Sequence, residues 1–270
     1  MTLFFFAIFF VFGLIIGSFL NVVICRINTA RSFGGRSACM SCQYNLAWYD
    51  LVPLFSFLAL RGRCRTCRTR ISYIYPLVEV ITGLVFLVLF CKLQNLFFLS
   101  ALSFILSYFY YATLFSLLVV IAIYDFRHKI IPDSLSFIFG ILAFLGLFFF
   151  ETKAGQIGGY EFFFHLPTLL DFFSGILVAS PFVLLWIISK GAWIGLGDAK
   201  LVVGLGWFLG LGQALSGIVL SFWTGAVIGL SLIIFSKGYG MKSEIPFAIY
   251  LVFGAFMVFI FELNFFAVGF

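Results

Sequence analysis

Two sets of residues in this chain have the types and spacing to do chemistry. The first is four cysteines. Cys39-Met40-Ser41-Cys42 and Cys64-Arg65-Thr66-Cys67 are C-x-x-C pairs with 21 residues between them. Each such turn offers two thiolates to one side of a metal ion, and two turns close a tetrahedral four-thiolate shell. A closed shell leaves no open coordination position, so a metal here, best matched by zinc, is structural. Neighbouring arginines favour the thiolate form. A redox-active pair or two disulfides are the alternatives. A redox pair does not explain why the motif occurs twice, and stable disulfides do not suit a cytoplasmic loop. Cys25 and Cys91 have no partner spacing and read as packing residues.

The second set is acidic. Asp125 ends an apolar stretch in Tyr124-Asp125-Phe126-Arg127-His128-Lys129-Ile130-Ile131-Pro132-Asp133, and Asp198 opens another in Gly195-Leu196-Gly197-Asp198-Ala199-Lys200. Ionisable groups beside a membrane span are costly and usually functional. Two carboxylates a few ångströms apart share a proton. The ionised one activates water, and the protonated one polarises a carbonyl and then serves the leaving amine. That is aspartic-protease chemistry without a metal. Gly195 and Gly197 allow the backbone to bend and a peptide to approach closely. Either aspartate alone reads first as a helix-end residue facing interfacial water; both together, in these sequence contexts, favour the catalytic pair. Asp133, after Pro132, is the rival within the pair, or a helix-start acid at the positive dipole end. Lys200 pairs with an aspartate or anchors at the interface. His128, between Arg127 and Lys129, reads as a solvated interfacial residue.

These groups must be positioned by membrane helices. Of 270 residues, 64% are hydrophobic and 10% charged, and 41 phenylalanines outnumber the 16 basic and 10 acidic side chains together. Soluble domains carry about 25% charged residues. The composition excludes a soluble enzyme, a disordered chain and a disulfide miniprotein. It predicts an all-α polytopic membrane protein of about eight transmembrane helices, with a small cytoplasmic zinc-ribbon-like four-cysteine loop. Hydropathy places the spans at 3–24, 74–91, 97–124, 134–150, 167–189, 199–212, 214–236 and 245–265. The span at 199–212 is short and glycine-rich, and the run Phe148-Phe149-Phe150 reads as lipid-facing bulk. The first span lacks a basic leader region and a cleavage site, so it reads as a retained helix.

Eight arginines fall between Arg26 and Arg70. With that loop inside, fourteen of the sixteen basic residues lie on the cytoplasmic side, leaving Lys92 and Lys153 outside. This follows the positive-inside rule and puts both termini outside. It also makes membrane lipid, and not nucleic acid, the partner of the net charge of +6. Two units are expected. Residues 1–92 hold one helix, the cysteine loop and a second helix; residues 97–270 are nearly continuous membrane.

The order of these motifs resembles the type IV prepilin peptidases of bacterial pilus and type II secretion systems, over nearly the whole chain. Gly17-Ser18-Phe19-Leu20-Asn21-Val22 looks like the family's opening motif, followed by the two knuckles. Ile71-Ser72-Tyr73-Ile74-Tyr75-Pro76-Leu77-Val78-Glu79 looks like its lead into the second helix. Asp125 with Pro132-Asp133 is similar to the first catalytic motif, and Gly195-Leu196-Gly197-Asp198 to the G-x-G-D motif of intramembrane aspartyl proteases. Pro246-Phe247 resembles a late Pro-Phe motif. Met40 stands where the family often has Pro, and Ala248 where Gly is usual.

The resemblance implies Asp125 and Asp198 as the catalytic pair and Cys39, Cys42, Cys64 and Cys67 as the cytoplasmic metal-type tetrad. It implies cleavage of prepilin and pseudopilin leaders at the cytoplasmic face of the inner membrane. It further implies methylation of the new N-terminus with S-adenosylmethionine, an activity associated with residues 1–92. Glu79, near the membrane beside the cysteine loop, is the candidate acid for methyl transfer or an interfacial anchor. Two other classes remain: a transporter using the aspartates as a proton or cation relay, and a catalytically silent assembly protein using the zinc loop.

Overall fold

The computed structural model describes residues 2–29, 34–150, 162, 164–235, 240 and 245–266. All regular structure in these residues is helical, apart from three isolated β-bridges. The chain divides into two compact units, Met1–Lys92 and Leu93–Phe270.

The first unit is built on α1 (Thr2–Arg26) and α3 (Ile74–Leu99), whose last residues run into the second unit. Between them lie a 3-10 turn, η1 (Trp48–Leu51), and a five-residue helix, α2 (Phe55–Ala59). The apolar helices touch through glycines spaced four apart on α1. A Cβ at Gly13 would lie 2.8 Å from the Gly83 Cα, and one at Gly17 would lie 2.7 Å from the Glu79 Cα. Lipid tails are as apolar as leucine, so membrane helices associate by close packing and not by hydrophobic exclusion; small residues permit it. Phe9 stacks on Phe90 at 4.3 Å further along the pair.

The second unit holds α4 (Ala101–His128), α5 (Asp133–Gly146), α6 (Leu169–Ser189), α7 (Leu196–Leu209), α8 (Leu211–Phe235) and α9 (Ala248–Phe261). Helix α7 is packed against α5, α6, α8 and α9, while α4 lies against α5 and α9. The glycines that make α7 a weak span in sequence are its contact points. Gly204 faces Phe139 and Gly140 of α5, and Gly206 faces the backbone of Ser174 and Gly175 of α6. Ser174 Oγ donates to Gly206 O at 2.9 Å. Gly210 ends α7 at φ +74°, a left-handed conformation that glycine adopts without steric cost, and α8 starts at the next residue.

Five helices (α1, α3, α4, α6 and α8) are long and apolar enough to cross a membrane. Helices α5, α7 and α9 have 14 residues each and rise about 21 Å. The span expected at 134–150 is shorter than predicted, because α5 stops at Gly146. The run that follows is partly engaged by other rings. Phe148, Phe149 and Phe150 are half-buried. Phe150 stacks on Tyr110 at 4.1 Å and Phe149 on Phe162 at 5.4 Å, so aromatic pairing has captured residues that hydropathy assigned to lipid. Glu151, Glu161 and Glu244 lie outside the described residues, as do Lys153, Lys237 and Lys242.

A Cβ at Gly206 would meet only backbone, with the Gly175 Cα at 2.6 Å. Overpacking of this kind costs about 1–3 kcal/mol, against about 1 kcal/mol gained in helix propensity. Gly206→Ala is therefore expected to destabilise the protein by up to about 2 kcal/mol. Gly34→Ala, with open space around it, is expected to leave stability unchanged. Thermal unfolding in detergent compares the two.

Candidate active site and metal centre

Asp125 sits in the last turn of α4, where Lys129 caps the helix in a left-handed conformation and donates its N–H to Asp125 O at 2.7 Å. Its carboxylate is buried, and Oδ2 accepts the Ala248 N–H at 3.2 Å. Ala248 is the first residue of α9, after Pro246 and Phe247. The first N–H groups of a helix have no intrahelical acceptor, so the start of α9 supplies a donor that the carboxylate satisfies.

Asp198 occupies the third position of α7, with Gly195 as the N-cap. Its side chain folds back toward the N-cap, so that a Cβ at Gly195 would lie 3.5 Å from Asp198 Oδ2. The Asp125 and Asp198 carboxylates are close enough to interact electrostatically. Neither glycine of the Gly195-Leu196-Gly197-Asp198 segment has a positive φ. Gly195 is extended, at φ −73° and ψ 145°. Gly197 lies in the first turn of α7, where a Cβ would be 3.0 Å from the Ile131 Cβ. The missing side chain admits the α4–α5 connection, which brings the end of α4 toward the start of α7.

Pro132 is the N-cap of α5, and Asp133 opens that helix with its carboxylate exposed. Asp133 does not join the buried carboxylate; it accepts from Lys200 Nζ at 2.7 Å. The pair ties the starts of α5 and α7 together two residues beyond Asp198. His128 lies against the Tyr124 ring at 4.5 Å.

In the first unit the two C-x-x-C segments have the same backbone. Cys39 N–H donates to Tyr44 O, and Cys64 N–H to Thr69 O, both at 2.9 Å. Gln43 N–H returns to Cys39 O and Arg68 N–H to Cys64 O, at 2.9 and 3.0 Å. Bridges Ala38–Asn45 and Arg63–Arg70 close the two turns, and Gln43 and Arg68 both take φ 56°. All four Sγ atoms lie within 4.8 Å of one another, with Cys39 and Cys67 at 3.8 Å. Sulfurs about 2.3 Å from a tetrahedral zinc are about 3.8 Å apart. The set can hold a metal ion.

The thiols titrate as a crowded group. Side-chain and backbone hydrogen bonds from Thr69 hold Cys67 down to about 6, and the Cys42 and Ser41 N–H groups lower Cys39. An N–H from Tyr44 favours the Cys42 thiolate, but desolvation and the neighbouring sulfurs outweigh it and push that thiol up to about 11. A bound cation would remove this conflict. The second knuckle is braced from outside: Arg65 pairs with the buried carboxylate of Asp50 at 2.8 Å and covers the Tyr49 ring.

The two remaining sequence segments fit each other. Asn21 Nδ2 donates to Tyr75 O at 3.0 Å, Gly17 lies against the Glu79 backbone, and Cys25 Sγ meets the Tyr75 hydroxyl at 3.4 Å. Glu79 is buried, and its Oε2 accepts the Leu54 N–H at 2.9 Å.

Residues 11–93 match the bacterial peptidase A24 N-terminal domain, and residues 112–230 match the type IV leader peptidase family. A prepilin leader peptidase/N-methyltransferase of Myxococcus xanthus is 36% identical over 250 residues, covering 88% of this chain and 67% of its own. The chain belongs to the type IV leader peptidase family. A protein of the same description from Bacillus subtilis is 28% identical, over 94% of each chain. The type 4 prepilin-like proteins leader peptide-processing enzyme of Escherichia coli is 31% identical over 72% of this chain and 73% of its own. No solved structure matches. The transporter and assembly-protein readings find no support in these matches.

This member of the family has a site component that residue types cannot reveal: the Ala248 N–H on Asp125. The available signal was Pro246-Phe247 directly before an apolar run, which marks a helix start. The two glycines before Asp198 also differ in their demands. A Cβ at Gly195 meets the Asp198 carboxylate at an ordinary 3.5 Å, whereas one at Gly197 presses on Ile131. Gly195→Ala is expected to keep wild-type stability, and Gly197→Val to lose about 1–3 kcal/mol, read from melting curves in detergent.

Proposed function

We propose that this chain is an inner-membrane aspartyl endopeptidase that removes the leader from prepilin-like proteins and methylates the new N-terminus. The observation that carries the peptidase reading is the buried Asp125, held by the first N–H of α9, in electrostatic contact with Asp198. The pair shares one proton. The ionised carboxylate takes a proton from water as the hydroxyl attacks the scissile carbonyl carbon. The protonated partner hydrogen-bonds the carbonyl oxygen. Collapse of the tetrahedral intermediate breaks the C–N bond, and the proton goes to the leaving amine. Gly195, Gly197, Pro132, Asp133 and Lys200 set the geometry of this pair and do not take part in proton transfer. The substrate's apolar segment lies in the bilayer with the scissile bond at the cytoplasmic face, the side on which the basic loops lie.

Residues 97–270 form the peptidase, and residues 1–92 carry the methyl-transfer function. The names of the relatives support the second activity, with S-adenosylmethionine as donor. Glu79 is its candidate acid. Cys39, Cys42, Cys64 and Cys67 hold a structural zinc, in keeping with their mutual distances and the repeated knuckle backbone. The metal stabilises the loop and takes no part in cleavage.

Asp125→Asn and Asp198→Asn are each expected to abolish processing of a co-expressed prepilin, by at least about a thousandfold, while the protein remains inserted and folded. Mass spectrometry of the substrate reads this, and normal cleavage by either variant would sink the pair. Glu79→Gln is expected to yield a cleaved but unmethylated product; normal methylation removes Glu79 from that role. Metal analysis is expected to find one zinc per wild-type chain and none in Cys64→Ser.

A further inference from the structure

The polar loop between α1 and α3 does not hang from the ends of its helices. Ser18 Oγ donates to Leu51 O at 3.5 Å, and Leu54 N–H donates to Glu79 Oε2 at 2.9 Å. Ser18 is eight residues before Arg26, which ends α1, and Glu79 is five residues after Ile74, which starts α3. At 1.5 Å per residue these positions are about 12 and 8 Å inside the helix ends. The two helices have 25 and 26 residues and exceed a 30 Å hydrocarbon core by about 4 Å on each side. With each helix centred on that core, the groups to which residues 51–54 are bonded lie about 3–8 Å beneath the hydrocarbon boundary. The loop turns back along its own spans.

The elements on either side of that segment are apolar where they are exposed. Trp48 and Leu51, three apart in a 3-10 turn, share one side of η1. Phe55 and Leu58 share one face of α2. Trp48, Phe55 and Leu58 are 79%, 73% and 69% exposed. Beyond α2, Arg61, Arg63, Arg68 and Arg70 are exposed. Asp50 is the one acid between Arg26 and Arg70, and it is already paired with Arg65. Large apolar side chains at this depth, bordered by uncompensated arginines, match the headgroup–acyl boundary of an anionic bilayer.

We propose that η1, α2 and the arginines after them form an interfacial element. Its apolar faces lie at the headgroup–acyl boundary, and its guanidinium groups bind the phosphates of anionic lipid. The two cysteine knuckles are thereby held against the membrane surface instead of free in solvent, and Glu79 fixes the depth of the segment through Leu54. This inference is independent of the peptidase reading and would survive its failure.

The test uses the full chain in phosphatidylethanolamine/phosphatidylglycerol vesicles containing phosphatidylcholine brominated near the headgroup end of its chains. The chain has five tryptophans, so the difference between wild type and Trp48→Phe isolates the emission of Trp48. That emission is expected to fall by more than half with brominated lipid and to resist aqueous acrylamide. Acrylamide quenching without any effect of bromine overturns the proposal. Phe55→Ser/Leu58→Ser is expected to abolish the bromine quenching of Trp48, and unchanged quenching removes α2 from the element. Replacing phosphatidylglycerol with neutral lipid is expected to weaken the quenching severalfold. Equal quenching in both vesicles overturns the arginine–phosphate contacts.

Discussion

Close approach between helix backbones is the constraint on which the second unit depends. In a bilayer nothing drives apolar helices together except packing and the few polar bonds between them. Helix α7 meets α5 through Gly204 and α6 through Gly206, with Ser174 hydrogen-bonded across the second contact. Gly254 of α9 is seated against the backbone of Gly217 in α8 in the same way. Each contact has a single register, because a shift of one residue would set a side chain where only a glycine fits. Asp198 is rigidly attached to the start of α7, so these contacts also locate its carboxylate.

Helix termini then make a buried acid and a half-buried neighbour tolerable. A helix leaves its first N–H groups without acceptors, and they carry partial positive charge. Asp125 accepts such a group from α9, and Asp198 folds back toward its own N-cap. The two needs cancel: an acid that water no longer solvates and a helix start that nothing else caps. Lys200 and Asp133 add an exposed ion pair nearby. Exposed pairs contribute little stability, so its place is better understood as orienting α7 against α5.

The first unit uses backbone repetition instead. Two segments with different sequences fold into the same turn, each with a non-glycine residue at φ 56°. A residue held there costs roughly 1 kcal/mol. That two such residues persist agrees with a turn whose geometry is imposed by its thiols and not by local preference. The loop that carries the turns is bonded back to α1 through Ser18 and to α3 through Glu79, and Asn21 ties α1 to Tyr75 O of α3. These polar residues within apolar helices each hold a backbone group of the loop or of the facing helix.

Composition and hydropathy alone determined that this is a helical membrane protein. The C-x-x-C spacing alone picked out four cysteines that could share an ion. Both depend on residue type and local separation, which a linear string carries in full. The string also presented Asp125 and Asp198 as acids at the edges of apolar segments. It could not show that an amide from α9 reaches Asp125, because a backbone N–H has the same identity at every position. It gave Phe149 and Phe150 to lipid alone, since the partners Tyr110 and Phe162 are brought near only by the fold. It described 199–212 as a weak span, when those glycines serve contacts with Phe139 and Gly175. What tertiary structure alone decided is which groups from distant segments meet, because a close contact is a property of two surfaces and neither one encodes the other.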